Sequence, residues 1–255
     1  IGILVISRFN SRRLKNKASL RINKTSLTEI LIKKLLKVVV RTNLVICSSK
    51  TNNNKKFYRS LGNKYKIKVF FGPELNVLKR IILCLEKFNF KYFVRVTGDN
   101  PLTDENSIIP MCKTHLNYKC DYTYNESLPR GMRVEIFSLT ALKKNYKKVV
   151  DLNSTEYLSY FFKRKDLYKI KKKNFKKYFK KQNLLSISID TKKDFNILKK
   201  FYKKKGTFKK KNLIYYLKKV KKLKDEVKTI NFVSDKYDVR YITDKNNNRK
   251  QLILS

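Results

Sequence analysis

Residues 2–17 read GILVISRFNSRRLKNK, an apolar segment followed by a basic one that together indicate the fold class. Residues 3–6 form an uninterrupted apolar run, which is typical of a strand that is covered on both faces in a parallel sheet. A polar loop rich in arginine and lysine follows at once. Because ligands of open parallel sheets bind beyond the carboxyl ends of the strands, this loop is the first candidate for a binding site.

Strand and helix patterns alternate through the first hundred residues. Ser26 and Glu29 have the S-x-x-E spacing of a capping box, and the apolar residues after them recur at helical intervals. This pattern predicts a helix, and further periodic segments predict a helix over residues 77–85 and strands over residues 44–47, 67–71 and 92–96. The order predicts an α/β domain around an open, mainly parallel sheet.

The second half of the chain carries weaker patterns. They predict helices near residues 105–113 and 154–162 and strands near residues 121–124, 133–137 and 184–189. Thr191 and Asp194 then predict the start of a helix over residues 195–202. We therefore expect the sheet to extend nearly to the end of the chain.

The composition is strongly basic. The 255 residues include 63 Lys and Arg against 19 Asp and Glu, a formal net charge of +44. Such a charge is typical of proteins that bind nucleic acid or anionic membranes. Lysine dominates, however, asparagine is abundant and alanine occurs only twice, as an AT-rich coding sequence would impose on any protein. We therefore interpret the charge as weak evidence for nucleic-acid binding and expect it to favour small polyanionic substrates.

Cysteine and histidine usage narrows the possible chemistry. Cys47, Cys84, Cys112 and Cys120 lack the paired short spacing of metal or redox motifs, so we predict reduced core thiols. One histidine, His115, makes a Ser-His-Asp triad or a multi-histidine metal site hard to build, and we predict that it lies on a helix surface. Sites made of carboxylates remain open.

Hydropathy and the amino terminus indicate the compartment. No apolar run approaches the ~20 residues that a membrane span needs. The amino terminus lacks a basic segment followed by an apolar one and a cleavage site. We expect a cytoplasmic protein without a membrane span.

The basic loop after the first strand predicts an anion site. Four cations and one hydroxyl lie within it: Arg8, Arg12, Arg13, Lys17 and Ser11. Arginine offers bidentate contacts to phosphate oxygens and lysine offers a mobile point charge, so a triphosphate would fit here. The alternative is an ordinary basic loop in a basic protein.

Two acidic segments complete the pattern. Asp99 lies in RVTGDNPLTD (residues 95–104), after a predicted strand, and Asp190 lies in SISIDTKKD (residues 186–194). Asp194 has a structural explanation as a helix cap, whereas Asp190 has none. Two carboxylates with phosphate oxygens and water would satisfy Mg²⁺. Asp99 could equally belong to an Asp-Asn-Pro turn.

Taken together, these segments resemble the CMP-sugar synthetase superfamily, and most closely its SpsF-like spore coat polysaccharide branch. The family motif A-R-x-x-S-x-R-L-P-x-K is similar to residues 7–17, with Ser7 in place of Ala and Lys15 in place of Pro. The motifs R-x-T-G-D-x-P and D-T-x-x-D match the two acidic segments. Residues 72–80 (GPELNVLKR) resemble G-x-x-x-x-V-L-x-R, and residues 129–138 (PRGMRVEIFS) resemble P-x-G-x-x-V-E-V-F. Tyr157 stands where the family usually has His.

The resemblance implies a Rossmann-like three-layer nucleotide-diphospho-sugar transferase fold over residues 1–235, with a polar C-terminal tail at 236–255. It also implies a Mg²⁺-dependent transfer of CMP from CTP to an acidic sugar, and possible homodimers. The residues that it assigns to the CTP phosphates are Arg8, Ser11, Arg13 and Lys17. Those that it assigns elsewhere in the nucleotide site are Ser48, Ser49 and Arg80. Asp99 and Asp190 would hold Mg²⁺, and Arg130, Arg133 and Glu135 would face the sugar. Each of these last three could instead be a surface residue beside an edge strand.

Two alternatives stay open. The same fold could carry a glycosyltransferase or a nucleotidyltransferase for another nucleoside triphosphate. The charge could instead belong to a nucleic-acid-binding protein, although that function does not require the ordered motifs.

Overall fold

A computed structural model describes residues 1–9, 14–147, 158–162, 166–175, 186–205, 238–243 and 249–254. Its helices and strands follow the predicted alternation at first and depart from it later. Up to residue 97 they are β1 (Gly2–Ser7), β2 (Arg21–Ile22), β3 (Thr25–Ser26), α1 (Leu27–Leu35), β4 (Leu44–Ser49), α2 (Asn52–Tyr65), β5 (Lys68–Gly72), α3 (Val77–Lys87) and β6 (Tyr92–Thr97). Beyond it they are α4 (Ile108–Asn117), β7 (Tyr122–Tyr124), β8 (Glu135–Ser138), α5 (Leu139–Tyr146), β9 (Ile170–Lys172), α6 (Lys192–Lys205), β10 (Asp238–Thr243) and β11 (Arg249–Leu254).

In the described part of the chain, seven strands form one sheet in the order β5-β4-β1-β6-β8-β7-β9. β1 pairs in parallel with β4 on one side and with β6 on the other, and β4 pairs in parallel with β5. β8 runs antiparallel to both of its neighbours, β6 and β7. The sheet is therefore mainly parallel, as predicted, and β1 with its basic loop lies near its centre.

Helices cover both faces of the sheet and complete a three-layer α/β architecture. On one face, α3 and α5 pack against strand residues such as Leu4, Phe93 and Phe137. On the other, α1, α2 and α4 pack against strand residues such as Val5 and Val94. Adjacent residues of a strand point to opposite faces, so the uninterrupted apolar runs follow from burial on both sides.

Helix α1 ties several loops to the core. Its capping box forms as predicted, because the Ser26 side chain accepts a hydrogen bond from the Glu29 amide. Lys34, the polar interruption in its apolar pattern, donates to the Thr103 carbonyl at 2.6 Å and pairs with Glu105 at 3.0 Å. The polar residue in the apolar pattern thus anchors the loop that follows β6.

The predicted strand at residues 184–189 is wrong where the structure describes it. Ser186 makes one isolated bridge to Arg130, and residues 187–190 are extended without strand pairing. Ile187 and Ile189 are buried against Phe195 of α6 and its neighbours. An extended segment alternates inward and outward side chains whether or not it pairs, which explains the strand-like pattern. In the described part of the chain, the main sheet therefore ends at β9 and does not continue to this segment.

His115 is not on the helix surface, contrary to the prediction. It is fully buried, its Nδ1 lies 2.8 Å from the Thr123 hydroxyl, and its ring packs edge-on against Tyr92. Burial lowers the pKa of His115 to about 4. The imidazole is therefore neutral and belongs to the packing of α4 on the sheet.

The structure also bears on the predictions for the cysteines, for membrane spans, for the C-terminal tail and for a helix at residues 154–162. Cys47, Cys84 and Cys120 are buried free thiols, and Cys112 is a half-buried one. Within the described ranges, every helix is too short or too polar to cross a bilayer. In the predicted C-terminal tail, β10 and β11 pair as an antiparallel hairpin. Of the predicted helix at 154–162, residues 154–157 lie outside the described ranges and Leu158–Phe162 form a 3₁₀ helix.

Candidate active site

Three charged side chains from distant parts of the chain meet beyond the carboxyl ends of β1 and β6. The Lys17 Nζ lies 2.6 Å from an Asp99 carboxylate oxygen and 3.1 Å from an Asp190 oxygen. The Lys17 side chain is largely buried, and the two carboxylates remain partly exposed. The convergence of these three residues, predicted from sequence, is therefore present.

The electrostatics of Lys17 reflect its two partners. Burial by itself would lower its pKa, but the charges of Asp99 and Asp190 and their hydrogen bonds outweigh burial and raise it. Lys17 is thus held as an ammonium. Paired with two carboxylates it leaves the cluster with one net negative charge, which suits a site for a cation bound together with an anionic ligand.

Asp99 is placed by a close contact between β1 and the loop after β6. A Cβ on Gly98 would lie only 2.5 Å from the Ser7 Oγ, so the loop can pass β1 here only with glycine. The Gly98 amide donates to the Ile6 carbonyl at 2.9 Å. The glycine of the T-G-D sequence therefore lets the carboxylate approach the basic loop.

Asp190 is placed by the turn at Gly131 and by the start of α6. The Ile187 amide donates to the Arg130 carbonyl at 2.9 Å. Gly131 has a φ of +91°, and a Cβ there would lie 2.7 Å from the Ser188 backbone nitrogen. Asp194 accepts from the Asp190 amide at 3.0 Å and from the Thr191 amide, as the predicted helix cap. Asp190 is thus fixed from both sides.

The other nucleotide-site candidates lie around the ends of β1, β4 and β5. Arg80 is buried in α3 and donates to the carbonyls of Pro73 and Glu74 at 2.8 and 3.2 Å. Burial lowers the pKa of Arg80, and the nearby charge of Arg8 lowers it further. The positive charge of Arg8 thus acts on Arg80 at this edge, and an anion bound there would reduce the repulsion between the two guanidinium groups.

Ser48 and Ser49 end β4, and both are fully buried. The Ser48 hydroxyl has no hydrogen-bond partner among the described residues, whereas Ser49 accepts from the Asn54 amide group at 2.5 Å. Ser11, Arg13 and Tyr157, which the sequence also singled out, lie outside the described residues.

The predicted sugar-facing residues lie along β8 and the turn before it. β8 is an interior strand between β6 and β7, so Glu135 does not flank an edge strand, whereas Arg130 is exposed at the surface. Glu135 pairs with Arg95 at 2.7 Å and accepts from the Tyr122 hydroxyl at 2.5 Å. Burial, and then the charge of Arg130, lowers the pKa of Arg133. Arg130 and Arg133 are thus adjacent cations, while the Glu135 carboxylate is held by its neighbours.

Asp99 and Asp190 are the candidate donors for a metal ion. Among the residues that the structure describes, no group of three or more His, Cys, Asp or Glu side chains could hold a metal by itself. Two carboxylates fit Mg²⁺, which prefers oxygen ligands and usually keeps positions for water and substrate phosphates. Such a site would be completed by the substrate.

Sequence reasoning missed several residues that shape the site. Arg95 received no role, although a charged residue inside an apolar strand is an unusual feature that could have drawn attention to it. Asn54 was missed with the whole of α2. It accepts from the Phe9 amide at 2.9 Å and bonds to Ser49, so it joins the basic loop to the end of β4.

Two proteins of known sequence are similar to this chain over most of its length. The chain is 29% identical over 198 residues to an uncharacterized protein of Methanocaldococcus jannaschii, a match that covers 77% of this chain and 80% of that protein. It is 26% identical over 219 residues to the spore coat polysaccharide biosynthesis protein SpsF of Bacillus subtilis, covering 81% and 88% of the two chains.

Solved structures share the fold. A cytidylyltransferase from Leptospira borgpetersenii superposes with a TM-score of 0.72 at 24% identity, over 80% of this chain and 86% of that one. A CMP:2-keto-3-deoxy-manno-octonic acid synthetase complexed with CTP superposes with a TM-score of 0.61 at 10% identity, over 80% and 98%. The family model described as cytidylyltransferase matches residues 2–237. This chain belongs to the cytidylyltransferase family.

Proposed function

We propose that this protein transfers CMP from CTP to the anomeric hydroxyl of an acidic sugar and releases pyrophosphate, for surface polysaccharide biosynthesis. The meeting of Lys17, Asp99 and Asp190 beyond the sheet is the observation that carries the proposal. Family membership supports the nucleotide, and the name of the SpsF relative supports the polysaccharide.

The basic loop and its neighbours would bind the triphosphate. Lys17 supplies a mobile point charge, and Arg8, the residue directly after β1, supplies a guanidinium group. Ser48, a buried hydroxyl without a partner among the described residues, and Ser49 lie at the end of the neighbouring strand, where the base would bind. Lys17 and Arg8 would contact the nucleotide at the edge where open parallel sheets bind ligands, and Ser48 and Ser49, which are 0% exposed, would lie beneath it.

Asp99 and Asp190 would hold Mg²⁺ together with phosphate oxygens of CTP. When bound, the ion would supply charge neutralisation of the triphosphate. Lys17, which contacts both carboxylates, would also neutralise part of the negative charge of the phosphates. We expect replacement of Asp99 or Asp190 to lower the affinity of the protein for Mg²⁺.

The reaction needs positioning more than acid–base chemistry. The sugar oxygen attacks the α-phosphorus as the bond to pyrophosphate breaks, and the proton of the sugar hydroxyl passes to solvent water or to the departing pyrophosphate. Cations that neutralise the leaving pyrophosphate lower the barrier, which is the role that we assign to Lys17 and Arg8. His115 is fully buried in the core, at 0% exposure, so we assign it no part in the reaction.

Arg130 and Arg133 would recognise the carboxylate of an acidic sugar. They are adjacent cations on the turn that positions Asp190, so a sugar bound there would lie beside the nucleotide site. Arg133 is fixed by its Nε bond to the Leu128 carbonyl at 2.6 Å. A guanidinium held in place is preorganised for a carboxylate.

The test is pyrophosphate release by the purified protein. The four nucleoside triphosphates are each combined with acidic sugars and with neutral sugars as controls, with Mg²⁺ or with excess EDTA. We expect release with CTP, with acidic sugars and with Mg²⁺. Turnover with neutral sugars alone, or with another nucleoside triphosphate in preference to CTP, would overturn the substrate assignment, and full activity in EDTA would overturn the metal.

A further inference from the structure

Three buried hydroxyl groups, on Ser7, Thr28 and Tyr58, lie behind the charged residues of the site. Thr28 and Tyr58 are 0% exposed and Ser7 is 7% exposed. The Tyr58 hydroxyl donates to the Ser7 Oγ at 2.6 Å. Burial raises the pKa of Tyr58, and the charge of Asp99 raises it further, so the phenol lies close to the site and stays protonated.

The Thr28 hydroxyl connects the two loops that carry the opposite charges of the site. Its Oγ1 lies 3.1 Å from the Ala18 carbonyl and 2.9 Å from the Gly98 carbonyl. Ala18 follows Lys17 directly, and Gly98 precedes Asp99 directly. One side-chain oxygen therefore links the backbone beside the ammonium to the backbone beside the carboxylate.

We propose that Thr28 is a positioning residue of this site, whose buried hydroxyl sets the distance between Lys17 and Asp99. Its role in CTP turnover rests on the function proposed above. Thr28 is the second residue of α1, which the Ser26 cap holds at its amino end. The hydroxyl is therefore attached to a capped α-helix, whereas Ala18 belongs to the single 3₁₀ turn Lys17–Ser19 and Gly98 to the loop after β6.

The chemistry makes this contact sensitive. The Thr28 hydroxyl has one proton, which the Ala18 and Gly98 carbonyls share. A buried carbonyl that loses its donor carries an uncompensated cost of desolvation, so without this proton the two loops would shift to find other partners. A shift of about 1 Å between reacting groups can lower a rate about a hundredfold. Gly98 is also crowded against Ser7, which leaves the loop little room to move without displacing Asp99.

The test compares Thr28→Val, Thr28→Ser and a matched control, Thr123→Val. Valine keeps the shape and removes the hydroxyl, and serine keeps the hydroxyl. Thr123 is also fully buried and hydrogen-bonded through its hydroxyl, but its partner is His115 in the core. We expect Thr28→Val to lower kcat on the order of tenfold to a hundredfold, with a smaller change in KM for CTP. Thr28→Ser should restore most of the rate, and Thr123→Val should retain it.

Hydrogen exchange supplies a readout that does not depend on turnover. We expect Thr28→Val to raise amide exchange in the loop around Lys17 and in the loop around Asp99 together, and Thr123→Val to raise it in neither. Equal kcat for Thr28→Val and Thr123→Val, or exchange that rises in neither loop, would overturn the proposal for Thr28. A wild-type protein without CTP turnover, in which the two loops still respond together, would overturn the proposed function and leave the link intact.

Discussion

Lys17 and its two acidic partners show how one side chain can join distant parts of a sequence. Asp99 and Asp190 both contact its ammonium, although Asp190 lies 173 residues away. Each carboxylate alone has an ordinary explanation, as part of a turn or beside a helix cap. Their shared contact with a buried lysine is more specific, because burying an ammonium is costly unless nearby charges compensate it, and here two carboxylates from distant segments do so.

Asp99→Asn should separate the chemistry from the fold. The amide keeps the size of the side chain and removes its charge, while Asp190 continues to pair with Lys17. We expect kcat to fall by about two orders of magnitude or more, as when a charge-stabilising group is removed from an active site. The free energy of unfolding should change by about 1 kcal/mol or less, because Asp99 is partly exposed.

Glu86→Gln is the matched control for that experiment. Glu86 also pairs with a lysine, Lys143, but both side chains are exposed and lie on α3 and α5. Its turnover should equal that of the wild type. An Asp99→Asn protein with wild-type kcat would remove Asp99 from the site.

His115 predicts a pH dependence of stability that has nothing to do with turnover. Unfolded histidine titrates near pH 6.5, whereas burial lowers the pKa of folded His115 to about 4. Between these values the unfolded chain binds a proton that the folded chain does not. Stability is therefore lost as the pH falls from about 6.5 to about 4, by about 3 kcal/mol in all.

Denaturant unfolding of the wild type and His115→Gln at about pH 7 and about pH 4 measures this loss. Other groups also titrate, but they contribute equally to both proteins. The variant should therefore lose less stability than the wild type on acidification. Parallel losses in the two proteins would show that His115 titrates normally in the folded state.

Residues 186–190, which we call the arm, place Asp190 in the site. The arm packs against the backbone at Gly131. An alanine at Gly131 would combine a strained φ of +91° with a contact to the Ser188 backbone. We expect Gly131→Ala to push the arm outward and to lower kcat on the order of tenfold or more through the displacement of Asp190.

Gly62→Ala provides the comparison for Gly131→Ala. A Cβ at Gly62 would press on the Val69 side chain between α2 and β5, away from the charged site. Both variants should lower the melting temperature, but only Gly131→Ala should lower kcat in the surviving folded protein. Equal kcat in the two variants would show that the arm does not depend on this turn.

The sequence predicted the first half of the fold well because each element there carries its own periodic pattern. It missed α2, whose sequence begins with three asparagines and is rich in lysine. Phe57, Tyr58 and Leu61 do follow helical spacing in α2 and were the available signal. The same lysine-rich composition reduces the difference in polarity between segments, which makes helices and strands harder to recognise. Contacts between distant residues, such as those of Asn54, leave no local pattern in the sequence.

The sequence predicted which charged residues form the candidate site, but not the contacts that hold them in place. The basic loop, Asp99 and Asp190 stood out because each follows an extended apolar segment. Thr28 and Arg95 act through contacts with residues 70 and 40 positions away, respectively. No local pattern encodes such contacts, since they depend on how β1, β6 and β8 pair.

The formal net charge of +44 bears on how the whole protein meets its substrate. A field of one sign raises the encounter rate of oppositely charged ligands, and salt screens it. If the triphosphate is the substrate, kcat/KM for CTP should fall steeply with added salt. The value of kcat at saturating CTP should change less, because the screened attraction acts on the approach of the ligand.

Steady-state kinetics over a salt series measure this dependence. Between about 0.01 M and about 1 M monovalent salt the Debye length shrinks from about 30 Å to about 3 Å, so long-range attraction is lost while direct contacts survive. The wild type is compared with Lys17→Ala, which removes a contact but only one of the 63 basic residues. Lys17→Ala should raise KM for CTP at every salt concentration and keep nearly the same slope. A wild-type kcat/KM that does not vary with salt would mean that the basic surface does not steer CTP.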